Sequence, residues 1–333
     1  MAGRNNTLPM IANNLVTVTA CMIFLSPASA QTIVSGPATP ERQHKTTHLS
    51  PKDDINQIGH RDIGHKGFGN WYSLDSEIAM GKGYSGAIEA NLKLLDDPLV
   101  NEYIKKIGQT LVTHSDAKVP FTIKVVDSDE LNAFSLPGGF LYINYGVIIN
   151  AEDEAEVAGV MAHEIAHVAA HHAARQMTRS DLLTLISLPL DMAGGGMVGQ
   201  AIHLAVGFAK PMEMLKFSRG FESEADYLGL EYLYAAGYDP QAFVSFLERA
   251  GAEEKNIDKW GGLFSTHPLM TSRIKRCQRE IARLFPERDS YLVSSSQFED
   301  IRSHLLARAG VHKAQRHDPV LRSRLPSSEP NRN

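Results

Sequence analysis

Two histidines and a glutamate in the middle of the chain have the types and the spacing of a hydrolytic metal site. They form the motif His163-Glu164-Ile-Ala-His167. On a helix, residues four apart lie on the same face, so both imidazoles can bind one metal ion. Glu164 lies beside them, where a carboxylate can hold a water and take its proton. Zinc-assisted hydrolysis requires this combination of groups.

The sequence around the motif favours a helix. A five-residue motif of this kind also arises by chance, and a histidine on a helix is more often a surface or core residue than a ligand. Residues 153–177, however, are rich in alanine and contain no proline and a single glycine, Gly159. Acidic residues at the start suit the positive end of a helix dipole, and Asn150 is the expected N-cap. The pattern therefore predicts one helix over 153–177.

A catalytic zinc takes three protein ligands, so the motif needs one more. One common completion continues the motif with a glycine and a third histidine. Ala170 and Ala173 stand at those two positions, so the sequence excludes it. The other completion is a glutamate on a separate helix, followed four residues later by an aspartate. Glu222 and Asp226 have that spacing.

The spacing of Glu222 and Asp226 places both carboxylates on one helical face. We expect Glu222 to bind the metal. We expect Asp226 to accept a hydrogen bond from the outer nitrogen of His163, which fixes the tautomer of that imidazole and increases its basicity. Glu224 points elsewhere on the helix and is expected to be a solvated surface charge. The alternative interpretation is that Glu222 and Asp226 are also surface charges.

Other residues near these motifs have expected positions as well. His171 and His172 follow the motif too closely to reach the same ion without distorting the helix, so we expect both on the surface. Peptide hydrolysis also requires a donor that stabilises the oxyanion. The sequence offers four candidates and does not choose among them: Arg219, Arg273, Tyr227 and His267.

The elements that position these residues are predicted from periodicity. Apolar residues with helical spacing over 75–114 predict two helices, with a break at Pro98. Segments 121–126, 133–136 and 140–144 have the character of strands and come directly before the motif helix. We therefore expect a small sheet beside the metal site. An edge strand of that sheet could pair with an extended peptide, although the strands could equally contribute only to the core.

The N-terminus has the pattern of an export signal. Arg4 precedes an apolar run at residues 15–25, and Ala-Ser-Ala at 28–30 matches a signal-peptidase site. We expect a mature protein that begins at Gln31 and a periplasmic location. Lipoprotein processing before Cys21 is the less favoured prediction, because apolar residues continue past the cysteine. A frayed N-terminal helix is the other alternative.

Composition is that of an ordinary globular protein, with 43% hydrophobic and 21% charged residues and a net charge of −5. No basic cluster suggests nucleic acid as a partner. We expect a signal peptide at 1–30, a flexible leader at 31–74, a zinc metallopeptidase domain at 75–286, and a C-terminal helix with a polar tail at 287–333. The apolar stretch 182–209 is interrupted by Pro, Asp and Gly residues, which favours an insertion over a membrane span. The sequence leaves open whether this insertion plugs the site, lines it or contacts a membrane.

Taken together, the motifs resemble a known family. Over roughly residues 75–285 the chain resembles the BepA-like and HtpX-like zinc metallopeptidases of family M48. The resemblance is carried by four segments: Asn132-Ala-Phe-Ser-Leu-Pro-Gly-Gly139, the His163 motif, Glu222-Ser-Glu-Ala-Asp226, and Ser265-Thr-His-Pro268 followed by Ser272-Arg273.

The resemblance implies an α+β fold, namely a mainly helical gluzincin metalloprotease domain with a small mixed β-sheet next to the HExxH helix. It implies one zinc ion per chain, held by His163, His167 and Glu222, with Glu164 as general base. It also implies polypeptide substrates, such as misfolded or unassembled envelope proteins. Peripheral association with a membrane or with the outer-membrane assembly machinery is implied as well.

His267 has two interpretations. In BepA-like members a histidine of the His-Pro loop can occupy the fourth zinc position and keep the enzyme latent, and His267 matches that residue. From the residues alone, His267 is equally well explained as a loop histidine that caps the next helix. A latent site of this kind would also suit a different class of protein, a chaperone or assembly factor that binds exported proteins and rarely cuts them.

Overall fold

The computed structural model describes residues 31–34, 54–64, 67, 69–193, 216–252, 267 and 271–317. Within these residues the helices are α1 (Leu74–Glu89), α2 (Pro98–Thr113), α3 (Tyr145–Asn150), α4 (Glu154–Ala169), α5 (His172–Ala193), α6 (Arg219–Ala235), α7 (Pro240–Ala252), α8 (Thr271–Leu284) and α9 (Ser296–His317). The strands are β1 (Gln31–Val34), β2 (Thr122–Val126), β3 (Ala133–Leu136), β4 (Phe140–Asn144) and β5 (Tyr291–Ser295). The expected α+β class is confirmed.

The sheet beside the motif helix is mixed, with strand order β2-β4-β3. Strand β4 pairs in parallel with β2 and antiparallel with β3. The turn between β3 and β4 contains Gly138 and Gly139, both with positive φ (74° and 92°), a conformation that favours glycine. The three predicted strands are therefore present, and β3 is an edge strand of this sheet.

Helix α4, which carries the His163 motif, is the centre of the core. Every residue of this helix is buried, and it packs against α2, α6, α7 and β3. Its alanines permit that close packing because they occupy little space. At the contact with α6, a Cβ atom added to Gly229 would lie 3.1 Å from the backbone nitrogen of His163. The small residue thus allows α6 to approach the histidine closely.

The start of α4 differs from the prediction. Asn150 ends α3, and the chain then takes an extended conformation at Ala151 before the next helix begins. The side chain of Asp153 accepts a hydrogen bond from the backbone N–H of Glu156 and caps α4. The expected cap at Asn150 is wrong because a separate short helix intervenes.

Part of the predicted leader is packed against the domain, which contradicts the expected flexibility there. Arg61 is 8% exposed, and its guanidinium donates hydrogen bonds to Asp116 and Glu231. Asn70 is also buried. Strand β1 pairs antiparallel with β5, and the sequence analysis predicted neither strand. Composition failed here because one buried cation and three isoleucines within a mostly polar segment, Ile55, Ile58 and Ile63, attach it to the core.

The C-terminal part joins the same core. Phe298, Ile301 and Leu305 of α9 are buried within it. The C-terminal helix predicted within 287–333 is present and continues to residue 317. The predicted signal peptide, residues 194–209 of the predicted insertion and the residues after 317 lie outside the described residues. In the part of the chain that is described, no helix has the length and apolar content required to cross a membrane.

Candidate metal centre

Four potential metal ligands converge beside α4. His163 and His167 come from α4, Glu222 from α6, and His267 from the segment before α8. All four are buried, and one potential ligand atom from each lies within 4.8 Å of the others. The structure therefore brings together the three ligands expected from the motifs and the fourth one implied by the family resemblance.

Four distances within this cluster are close to those expected around one tetrahedral ion. Nε2 of His163 lies 3.1 Å from Nε2 of His167 and 3.3 Å from Nδ1 of His267. Oε1 of Glu222 lies 3.0 Å from Nδ1 of His267 and 3.5 Å from Nε2 of His167. Four ligand atoms around a tetrahedral zinc would lie about 3.3 Å apart, because each bond is about 2.0–2.1 Å long. Imidazole nitrogens and a carboxylate are also ligands that zinc prefers, so these residues fit the expected ion.

The outer nitrogen of His163 faces Asp226. Its Nδ1 lies 3.1 Å from Oδ1 of Asp226, as the spacing within α6 predicted. Arg273 donates two hydrogen bonds to Asp226, from Nε at 2.9 Å and from Nη2 at 2.7 Å. Its Nη1 lies 3.1 Å from Oε2 of Glu222. The guanidinium of Arg273 is therefore bound to two carboxylates behind the cluster, and it positions them.

The carboxylate of Glu164, the expected general base, is held from two sides. The hydroxyl of Ser135 on β3 donates a hydrogen bond to Oε2 of Glu164 at 3.0 Å. Nε2 of His267 lies 3.1 Å from Oε1 of Glu164. Sequence reasoning missed Ser135; the only local signal for it is the alternation of side chains along a strand, which places Ala133 and Ser135 on one face.

Burial and carboxylates set the protonation of the cluster in opposite directions. Burial disfavours the charged imidazole and holds the pKa of His167 well below its ordinary value. Burial also opposes charge on His267, but the carboxylates of Glu164 and Glu222 outweigh it and raise the pKa of His267 to about 10. The neighbouring imidazoles likewise overcome burial at Glu222 and lower its pKa. The carboxylates thus create a negative potential that favours a cation at this position.

The remaining oxyanion candidates have different positions. Arg219 is exposed in the first turn of α6. Tyr227 lies beside Glu231, in the buried network that also holds Arg61. Of the four candidates, the structure places Arg273 and His267 in contact with residues of the cluster.

The prediction that His171 and His172 lie on the surface is wrong. Helix α4 ends before His171, which has a φ of 53°, and α5 begins at the next residue. His172 is 0% exposed, and its Nδ1 lies 2.9 Å from Nδ1 of His167. Its Nε2 lies 3.2 Å from Oε2 of Glu224, so Glu224 is not a free surface charge. Nδ1 of His171 lies 2.9 Å from the buried carboxylate of Glu77.

A small, open pocket adjoins the cluster. His167 and Ser135 form the side next to the potential ligands. Leu136, Pro137, Val168 and Phe217 contribute apolar surface. The pocket therefore lies beside the edge strand β3 and beside the residues expected to act on a peptide bond.

Comparison with known proteins agrees with this geometry. The profile described as peptidase family M48 matches residues 98–281, more than half of the chain. The chain is 32% identical over 252 residues to a beta-barrel assembly-enhancing protease of Yersinia pestis, which covers 73% of this chain and 50% of the relative. The corresponding protein of Escherichia coli is 32% identical over 226 residues, 66% of this chain and 46% of the relative.

A mitochondrial relative shares the same region. The chain is 30% identical over 181 residues to the mitochondrial metalloendopeptidase OMA1 of Schizosaccharomyces pombe, which covers 53% of this chain and 51% of that protein. The chain thus spans about half the length of these curated relatives.

Proposed function

This chain belongs to peptidase family M48 as a BepA-like metallopeptidase, and from that membership we propose that it is a zinc-dependent endopeptidase that hydrolyses polypeptides. The observation that carries the proposal is the buried cluster of His163, His167, Glu222 and His267, whose potential ligand atoms lie within 4.8 Å of one another, with four of their distances close to those around a tetrahedral zinc ion. The proposed ligands are His163, His167 and Glu222, and Glu164 is the proposed general base.

The residues around the cluster have distinct parts in this mechanism. Zinc, when bound, supplies a Lewis acid that polarises the scissile carbonyl and activates a water. Glu164 accepts the proton of that water and transfers it to the leaving amine. Ser135 holds one oxygen of Glu164 and so fixes the direction of the other. Asp226 orients His163 through Nδ1, and Arg273 in turn orients Asp226.

The edge of the sheet supports a polypeptide substrate. An extended peptide can add to the edge of a sheet through main-chain hydrogen bonds. Among the described residues β3 is an edge strand, although its four residues are buried, and it carries Ser135, which contacts the proposed base. The small pocket beside His167 is lined by Leu136, Pro137 and Phe217, so an apolar group of the substrate fits best against it.

The physiological role extends this proposal to exported proteins. The N-terminal pattern predicts export, and relatives are named beta-barrel assembly-enhancing proteases. We therefore assign misfolded or unassembled envelope proteins as substrates, in the periplasm, with peripheral association with a membrane or with the outer-membrane assembly machinery.

Metal analysis and one conservative substitution test the catalytic proposal. Glu164→Gln should retain one zinc per chain and lose cleavage of casein or a peptide by about a hundred- to ten-thousand-fold. Glu248→Gln is the matched control, because Glu248 is exposed and its hydrogen bond from Gln278 lies at the surface, away from the cluster. A Glu164→Gln variant that cleaves as fast as the wild type would disprove the mechanism.

A second candidate function is a chaperone or assembly factor with a latent site. The observation that favours it is the position of His267, whose Nδ1 lies among the ligand atoms while its Nε2 lies 3.1 Å from Glu164. An imidazole at this position would compete with the catalytic water for the metal ion. If the site is latent, His267→Ala should increase proteolysis. Negligible proteolysis by this variant, with zinc still bound, would instead favour the binding role.

A further inference from the structure

A line of polar side chains leads away from the cluster, starting at His167. Nδ1 of His167 lies 2.9 Å from Nδ1 of His172. Nε2 of His172 lies 3.2 Å from Oε2 of Glu224, and Nη1 of Arg175 donates to the same oxygen at 2.9 Å. His172 also stacks on Phe221, with ring centroids 4.5 Å apart. This line connects a proposed ligand to a carboxylate near the surface.

A break in the helix makes this contact possible. In a continuous helix His172, five residues after His167, would point about 140° away from it, because each residue turns the helix by about 100°. The left-handed conformation of His171 ends α4 and redirects His172 toward His167. That conformation costs roughly 1–2 kcal/mol for a residue other than glycine. Contact between His171 and Glu77 at 2.9 Å helps to hold it.

The distances assign the protons along the line. A histidine that binds a metal through Nε2 carries its hydrogen on Nδ1, so His167 must donate from Nδ1. The acceptor at 2.9 Å is Nδ1 of His172, which must then lack a hydrogen. The hydrogen of His172 is therefore on Nε2 and points to Glu224. Arg175 balances the charge of that carboxylate.

We propose that His172, supported by Glu224, positions His167 for metal binding, as Asp226 does for His163. The inference rests on the proposed function, because it takes His167 as a ligand. A neutral imidazole suits this position, since Glu222, Asp226 and Glu164 already bring three buried carboxylates to the site. The side chain of Glu224 is 34% exposed, so water shares in solvating its charge. His172 therefore orients His167 without burying a fourth anion.

Zinc affinity of the full chain tests the proposal without relying on catalysis. His172→Phe retains the stacking on Phe221 but removes both nitrogens, and its Kd for zinc, measured by competition with a chromogenic chelator, should increase about 10- to 100-fold. His172→Asn offers an amide oxygen near the position of Nδ1 and should recover part of the affinity. His304→Phe is the matched control, because His304 is exposed on α9 and pairs with Asp97.

A second variant addresses loss of folding. Glu224→Gln changes a partly exposed side chain and should weaken zinc binding less than His172→Phe, whereas Glu248→Gln should leave it unchanged. If His172→Phe lowers only the Tm of the metal-free protein and leaves the zinc Kd as in the wild type, the proposal is wrong.

Glu222→Gln distinguishes failure of the positioning role from failure of the proposed zinc site. If Glu222→Gln abolishes zinc binding but His172→Phe does not change it, only the positioning role fails. If the wild type does not bind zinc at this site, both proposals fail.

Discussion

Oδ1 of Asp226 lies 3.1 Å from Nδ1 of His163, on the opposite side of the imidazole from the potential ligand atoms. Glu222 and Asp226 come from consecutive turns of α6, so this one helix supplies both a proposed ligand and the support of another. Gly229 brings the same helix close to the backbone of His163. The geometry of the cluster therefore depends on how α6 packs against α4.

Asp226→Asn tests the support of His163. The amide keeps the size of the carboxylate but loses its charge, so it orients and polarises the imidazole less strongly. We expect the Kd for zinc to increase about 10- to 100-fold, measured by chelator competition. Asp300→Asn is the control, because Asp300 is exposed on α9. Unchanged zinc affinity in Asp226→Asn would show that the 3.1 Å contact does not contribute to metal binding.

Gly229→Ala tests the approach of α6 to α4. The added Cβ would lie 3.1 Å from the backbone nitrogen and 3.2 Å from Cα of His163, so one helix must shift. Overpacking of this kind costs about 1–3 kcal/mol. We expect a lower Tm and weaker zinc binding, because the shift displaces Glu222 relative to His163.

Gly220→Ala is the matched control for this substitution. Gly220 lies on the same helix, and the nearest atom to its added Cβ is Oγ of Ser218 at 3.8 Å. Alanine has the higher helix propensity, so this variant should be as stable as the wild type or more stable. If both variants have the same stability, the close contact at Gly229 is not a constraint on the fold.

The sequence predicted the parts of the site that depend on local spacing. His163 and His167, like Glu222 and Asp226, are four residues apart, and helical geometry alone places each pair on one face. The strands at 133–136 and 140–144 were predicted because alternation and a Pro-Gly-Gly turn are local signals as well. Local rules therefore give the two halves of the cluster, while tertiary packing joins them.

The sequence could not predict the parts that depend on a break or on distant partners. His172 was placed on the surface because helical spacing continues past Ala169, and only the left-handed conformation of His171 redirects it. Arg61 was placed in a flexible leader because its partner Glu231 is 170 residues away and leaves no local pattern. A long-range polar contact has no periodicity to detect.

Arg61→Ala tests whether that polar contact attaches the N-terminal segment. Arg61 pairs with both Asp116 and Glu231, whose side chains are buried. Burial outweighs the pairing at Glu231 and raises its pKa to about 7, which shows how poorly water solvates this site. Removal of the cation leaves two buried carboxylates without a positively charged partner, so we expect a loss of about 3–5 kcal/mol in the free energy of unfolding.

Denaturant unfolding measures this loss, and Arg283→Ala is the control. Arg283 is exposed and pairs with Glu280 on the same helix, so its removal should change stability by less than about 1 kcal/mol. A small effect for Arg61→Ala, similar to that of Arg283→Ala, would mean that the segment is attached by other contacts.

The raised pKa of His267 predicts opposite pH dependences for stability and for zinc affinity. Burial disfavours its charge, but Glu164 and Glu222 raise the pKa to about 10, above the ordinary value of about 6.5. The folded metal-free protein therefore binds this proton more tightly than the unfolded chain does. Its contribution to stability is fully present below about pH 6.5 and is lost as the pH rises toward 10. In the latent form, in which Nδ1 of His267 binds zinc, the ion displaces the same proton, so zinc affinity should increase over that window.

Two titrations of the full chain measure these dependences. The Tm in excess chelator should decrease between about pH 6.5 and 10, and the zinc Kd should decrease over the same range. His267→Gln cannot bind the proton, so both slopes should become shallower than in the wild type. Equal slopes in the two proteins would mean that His267 does not titrate in this window. The contacts of His267 with Glu164 and Glu222 would then not stabilise its charged form.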